Sequence, residues 1–147
     1  METKTSELTG IALDWVVCEA SGLFAAYPKV RKGFRRMWAG NSSYFLHPST
    51  DWGQGGLIIE RECMDILCLS GGDDGWQADK YLHTEKVEGF GPTPLTAAMR
   101  CYVASKLGEE VEVPDELCLR PCRSPYCECD VGKCSHPGCY DARGTMP

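Results

Sequence analysis

Positive charge, histidine and long apolar runs are all scarce in this sequence, and each shortage closes off a class of function. Fifteen lysines and arginines stand against 21 aspartates and glutamates, a formal charge of -6. General affinity for nucleic acid needs cations that displace the counterions of a phosphate backbone, so this balance disfavours it. No apolar run approaches the roughly 18 residues that span a bilayer, and the polar opening METKTSELTG lacks the apolar centre of a signal peptide. No membrane association is expected, and the cytoplasm is the expected compartment. There are three histidines, His47, His83 and His136. None sits in a pattern that pairs a nucleophile with a base, and GxSxG, HExxH and GxxxxGK[ST] are all missing. Asp73 and Asp74 fall in a stretch whose composition already makes a turn. These absences point to a protein that is not an enzyme.

What the sequence does have is 147 residues, 43% of them hydrophobic and 24% charged. That is enough for one ordinary domain and a short appendix, and far from the composition of a disordered chain. It also has ten cysteines, which in a reducing compartment read as metal ligands or buried thiols rather than a disulfide framework. Cys18, Cys63, Cys68 and Cys101 are scattered; Cys118, Cys122, Cys127, Cys129, Cys134 and Cys139 crowd the end.

Leu8, Ile11, Trp15 and Cys18 recur at helical spacing, which predicts a helix over 5–22 capped by Thr5 or Ser6 and stopped by Gly22. The stretch 23–48 mixes aromatics with Lys29, Arg31, Lys32, Arg35 and Arg36, and only 41–46 reads as a strand. Such a mixture serves a phosphate or a stacked base, or simply a solvated face resting on its aromatics. Pro48, Ser49, Thr50 and Asp51 announce a helix. Gly53, Gly55 and Gly56 contradict it, each weakening a helix by about 1 kcal/mol relative to alanine. Glycines that break a local rule mark close approach, by the protein's own backbone or by a ligand.

An apolar run at 64–69, the turn SGGDDG at 70–75 and the alternating WQADKYL at 76–82 predict a hairpin, with 84–87 a further strand or a loop. Thr93 followed by Pro94 predicts the N-cap and first position of a helix, lined by Leu95, Ala98, Met99, Tyr102, Val103 and Leu107 and closed by Gly108. Residues 111–114 leave in extended form. The fold class is therefore α+β: a small antiparallel sheet packed against two or three helices over 1–114, followed by a small metal-stabilised cysteine-rich tail over 115–147.

That tail has almost no aliphatic residue with which to build a core, so a cross-link must order it. Close thiolates in a polar peptide, with Pro125, Gly132, Pro137 and Gly138 for turns, suit a structural zinc ion held in a tetrahedron of four ligands. Cys122, Cys127, Cys129 and Cys134 are the first assignment, with Cys139, His136 and Cys118 as substitutes. The spacing is not that of a common zinc finger. Disulfides formed on isolation, a disordered reduced tail and an iron–sulfur cluster are the other readings of the same residues.

Three segments carry a resemblance: KTSELTGIALDWVV at 4–17, PSTDWGQGGLIIERE at 48–62 and GPTPLTAAMRCYVASKLGEEVEVPDEL at 91–117. In this order they resemble the NinX family of tailed bacteriophages and, more distantly, the phage domain described as an alpha-beta-alpha sandwich. The stretch 23–45 has no counterpart in the resemblance, and the cysteine-rich tail looks like an addition. The resemblance implies a phage accessory protein made in the host bacterial cytoplasm, with no catalytic residues to carry over.

The leading expectation is a binding protein that counteracts a host defence, either by sequestering a small nucleotide-like signal or by occupying a host protein. For a ligand the candidate site is where Trp52, Gln54, Gly55 and Gly56 meet the start of the Thr93 helix, since helix starts offer free amides to anions and tryptophan offers a stacking face. Trp76 is a further candidate, and Arg35 and Arg36 are placed to close over phosphates. The alternatives are a zinc-containing nucleic-acid-binding regulator of phage development, gripping with the tail and the basic stretch 29–36, and a metal-dependent enzyme. A homo-oligomer is compatible with all of them.

Overall fold

The computed structural model describes residues 1–21, 28–30, 37–39, 45–69, 75–114 and 117. In chain order the elements are β1 (Glu2–Lys4), a short 3-10 turn (Thr5–Glu7), α1 (Gly10–Ser21), β2 (Pro28–Val30), β3 (Met37–Ala39) and β4 (Phe45–Leu46). Then come α2 (Trp52–Glu62), β5 (Asp65–Cys68), β6 (Trp76–Leu82), β7 (Glu85–Gly91), α3 (Pro94–Leu107) and β8 (Glu110–Glu112). The class is α+β, as the sequence predicts.

α3 is the axis of the molecule. Thr93 caps it, its hydroxyl accepting from the Thr96 amide at 3.1 Å, and Pro94 occupies the first turn. Leu95, Ala98, Met99, Tyr102 and Val103 are buried, and so are Ala97, Arg100 and Cys101 on other sides, because the helix is enclosed nearly all round. Leu107, expected on the core face, is instead exposed at the C-terminal end. On one side of α3 lies the antiparallel sheet β5-β6-β7; on the other, α1 and α2 pack against it.

The sheet register puts Ile66, Ala78 and Gly89 in one row across the three strands, and Trp76 beside Gly91. Glycine is required in this row. A Cβ on Gly89 would lie 2.4 Å from both the Ala97 carbonyl oxygen and the Cys101 amide nitrogen, so the helix backbone rests directly on the strand. The hairpin expected from 64–82 forms, and its turn at 70–74 lies outside the described residues. The ambiguous 84–87 proves to be the start of a seven-residue strand, joined to β6 by a tight turn in which His83 takes a left-handed φ of 54°. Across the sheet, Leu67, Tyr81 and Phe90 are exposed.

The first helix starts later than periodicity suggests. Thr5 is committed elsewhere: its amide donates to the Glu109 carbonyl and its hydroxyl to the Gly108 carbonyl, both at 2.8 Å. The chain therefore makes a 3-10 turn and begins α1 only at Gly10. Its buried side is centred on Leu13, Val16 and Val17 as well as Cys18, while Ile11 and Trp15 are only partly buried. The expected strand at 41–46 is described only as β4, the rest lying outside the described residues. β4 pairs with β3, and β3 with β2, in a second antiparallel sheet that composition did not reveal. β1 and β8 pair antiparallel, with Thr3 opposite Val111.

The helix that its cap announces and its glycines oppose does form. Asp51 is its N-cap, accepting from the Gly53 amide at 2.7 Å. A cap contributes about 1 kcal/mol, and burial of Ile58, 1% exposed, contributes about 1.5–3 kcal/mol. Together these offset the roughly 3 kcal/mol that three glycines cost.

Candidate functional site

Of the residues singled out in the sequence, Trp52, Gln54, Gly55 and Gly56 lie on α2, and the structure gives each a different task. Gly55 is a close-approach glycine whose neighbours belong to the protein itself. A Cβ there would lie 2.3 Å from the Pro48 carbonyl oxygen and 2.7 Å from Leu95 Cδ2 in the first turn of α3. Gln54 is buried; its Oε1 accepts from the His47 amide at 2.9 Å and its Nε2 lies 3.5 Å from Asp51 Oδ2. Thr93 spends its hydroxyl on its own helix. Trp76, partly buried, packs against the main core. Arg35, Arg36 and the ligand set Cys122, Cys127, Cys129, Cys134, His136 and Cys139 lie outside the described residues.

Trp52 and Gly56 differ from the rest. The Trp52 side chain is 57% exposed, and its ring passes over Gly56, where an added Cβ would meet Cε3 at 3.7 Å. Leu57, next on the same outward side, is 64% exposed. Glu60 and Arg61 continue the exposed side toward the C-terminus. The exposed arc of α2 thus carries Trp52 and Leu57 towards its two edges, with charges at the C-terminal end. Leu57 and the buried Ile58 are adjacent apolar residues, and the signal that separates them is the helical period counted from the buried Gln54.

Beneath this face, Asp14 of α1 is buried and accepts from the Ser49 amide at 2.8 Å. Burial raises its carboxyl above the ordinary value, opposed by the Ser49 hydrogen bonding and the charge of His47. His47 turns its ring outward, with Nε2 3.8 Å from Asp51 Oδ2, while its carbonyl accepts from the Thr50 and Asp51 amides. The group holds the turn before α2 against α1.

At the far end of α2 the structure assembles a cluster from residues that lie far apart in the chain. Arg61, Lys80 and Lys106 surround the ring of Tyr102 at 5.9, 5.9 and 5.8 Å from its centroid. Arg61 donates from Nη2 to the Tyr102 hydroxyl at 3.2 Å and from Nε to Glu62 at 3.1 Å; Lys80 also donates to Glu62, and Lys106 stands 3.6 Å from the same carboxylate. Burial alone pushes Glu62 up, but hydrogen bonds from Lys80 and Arg61 and the charges of Lys80 and Lys106 outweigh it and hold the carboxyl below its ordinary value. Since Gly55 lies beside Leu95 and Arg61 beside Tyr102, α2 and α3 run side by side in the same direction.

Among the described residues no three of His, Cys, Asp or Glu converge on a possible metal position, and Cys18, Cys63, Cys68 and Cys101 are free thiols. No helix among them is long and apolar enough to cross a membrane. A small α+β domain built on one enclosed helix, with an apolar side of a second helix turned outward, is the class that fold and site define. The family model described as "Bacteriophage P22, NinX" matches residues 4–106, and the chain belongs to that family. It is a phage protein. The match runs through 23–45, the stretch without a counterpart in the three resembling segments, and stops short of the cysteine-rich tail, which is an extra beyond the family domain. No curated protein matches the chain.

Proposed function

We propose that the protein acts in the infected bacterium by non-enzymatic binding, counteracting a host defence by occupying a host protein with the outward side of α2. The observation that carries this reading is the exposure of Trp52 and Leu57 on a helix whose other side is buried. Tryptophan is the side chain most enriched among residues that dominate protein interfaces, because it fills a partner's pocket with a large rigid surface. Glu60 and Arg61 supply a charged rim that fixes orientation.

The N-terminal end of α2 suits a protein better than a small nucleotide-like signal. The Gly53, Gln54 and Gly55 amides already donate to Asp51 and the Thr96 and Ala97 amides to Thr93, and the space at Gly55 is taken by Pro48 and Leu95. The family membership supports the setting.

The test is binding of one identified host protein, captured on wild-type protein, to wild type and to the doubly substituted Trp52→Ala, Leu57→Ala. An exposed interface anchor is worth about 2 kcal/mol or more, so the double variant is expected to bind at least about thirtyfold more weakly with its thermal unfolding unchanged. Equal binding by the folded variant overturns the reading. For the tail, the reading is a structural zinc ion on Cys122, Cys127, Cys129 and Cys134, with Cys139, His136 and Cys118 as substitutes, supported by ligand density and the lack of core-forming residues. Thiol labelling before and after chelation is its test.

A further inference from the structure

The cluster around Tyr102 holds more positive charge than its surroundings use. Three cations share one carboxylate, Glu62, and among the described residues no other carboxylate lies within ion-pair distance of them. In a chain of net charge -6 this is a concentrated surplus. Arg61 and Lys106 stand in the last turns of α2 and α3, whose C-terminal ends each present roughly half a negative charge. Those dipoles and Glu62 together balance about two of the three cations.

Lys80 is what helix ends do not explain. It comes from β6, its side chain is only 9% exposed, and a buried ammonium is costly unless it is paired. Its carboxylate is shared with two other cations. Arg61 and Lys106 are 38% and 42% exposed and face solvent above it. Arg61 has five N–H donors, of which Nε and one on Nη2 are engaged.

We propose that Arg61 and Lys106 form a binding site for a phosphate dianion, free or as a monoester, at the paired C-terminal ends of α2 and α3, with Lys80 supplying positive field from beneath. The guanidinium fork takes two phosphate oxygens in its plane. Lys106 takes a third as a point charge. Glu62 stays on the far side of the cations, where it positions them. The buried Tyr102 ring gives the cations a common seat and leaves no stacking face for a base, so recognition stops at the phosphate group.

Titration of the full-length protein with sodium phosphate, followed by nuclear magnetic resonance and compared with sodium chloride at matched ionic strength, tests this. Saturable shifts at Arg61, Tyr102 and Lys106 in phosphate alone are expected. A second arm with adenosine 5′-monophosphate separates the sources: affinity equal to that of inorganic phosphate is expected for a site that recognises the group alone, and tighter binding, which would mean a nucleotide site, overturns that. Arg61→Gln with Lys106→Gln is expected to weaken binding at least tenfold, and Lys106→Gln alone by threefold or more should the pair unfold the domain. Trp52→Ala with Leu57→Ala is expected to leave phosphate binding unchanged, so that failure of the docking reading and failure of this one are told apart although Arg61 borders both. Identical responses to phosphate and chloride, or wild-type titration by the folded Lys106→Gln variant, overturn the proposal.

Discussion

At the scale of single residues, the ten cysteines separate into groups with different chemistry. Burial pushes the thiols of Cys18 and Cys101 up to about 12, and the Cys101 thiol donates to the Val87 carbonyl at 3.3 Å. Neither presents a thiolate at neutral pH, and the thiolate is the reactive form. Cys63 and Cys68 are exposed. Iodoacetamide on the native protein is therefore expected to modify Cys63 and Cys68 and, on the proposed zinc reading, those tail thiols that the ion would leave over. A chelator is expected to release the remaining tail thiols, and Cys18 and Cys101 to react only after denaturation. Mass spectrometry of the alkylated protein reads each step; tail labelling that ignores the chelator removes the zinc. The crowding of six cysteines in 118–139 was plain in the sequence. Which of the other four were buried was not, because that depends on which side of α1 and α3 meets the core.

At the scale of elements, legibility followed how local the deciding interaction is. Thr93, Pro94 and Gly108 lie within or beside α3, so both its ends were readable. The glycines of α2 gave a contradictory signal because one answer to them lies at Leu95, forty residues on. The strand β7 was half seen: Glu85, Lys86, Glu88 and its glycines carry little strand propensity, and its pairing with β6 decides its length. The cluster of Arg61, Lys80 and Lys106 was invisible, since it needs two helices laid in the same direction with a strand beneath. The glycines give the sharpest test. Gly89→Ala would thrust a methyl group into the α3 backbone and is expected to cost about 1–3 kcal/mol or more, the range for overpacking. Gly56→Ala meets only the Trp52 ring at ordinary contact distance and is expected to stabilise by up to about 1 kcal/mol through helix propensity. Urea denaturation of the two variants checks both signs; a neutral Gly89→Ala would mean that strand and helix are not in direct backbone contact.

At the scale of the whole molecule, the class was legible because hairpin, capped helix and apolar periodicity are each short-range features that together allow few arrangements. The pairing of β1 with β8 was not, because it joins residues more than a hundred positions apart, Glu2 opposite Glu112 and Lys4 opposite Glu110. That pair has a kinetic meaning. Closing so long a loop repays its entropy only after the intervening elements have collected around α3, so the clasp is the last part to form and the first to open. Its strands are three residues each, their glutamates face water, and Val111 and Val113 provide its burial. Hydrogen exchange at Thr5 and Val113, whose amides donate to Glu109 and Met1, is expected to run faster than at the amides of α3; equal protection would make the clasp part of the global unfolding unit. A domain whose outermost strands part without disturbing its central helix can open at that seam and reclose many times for each time it unfolds.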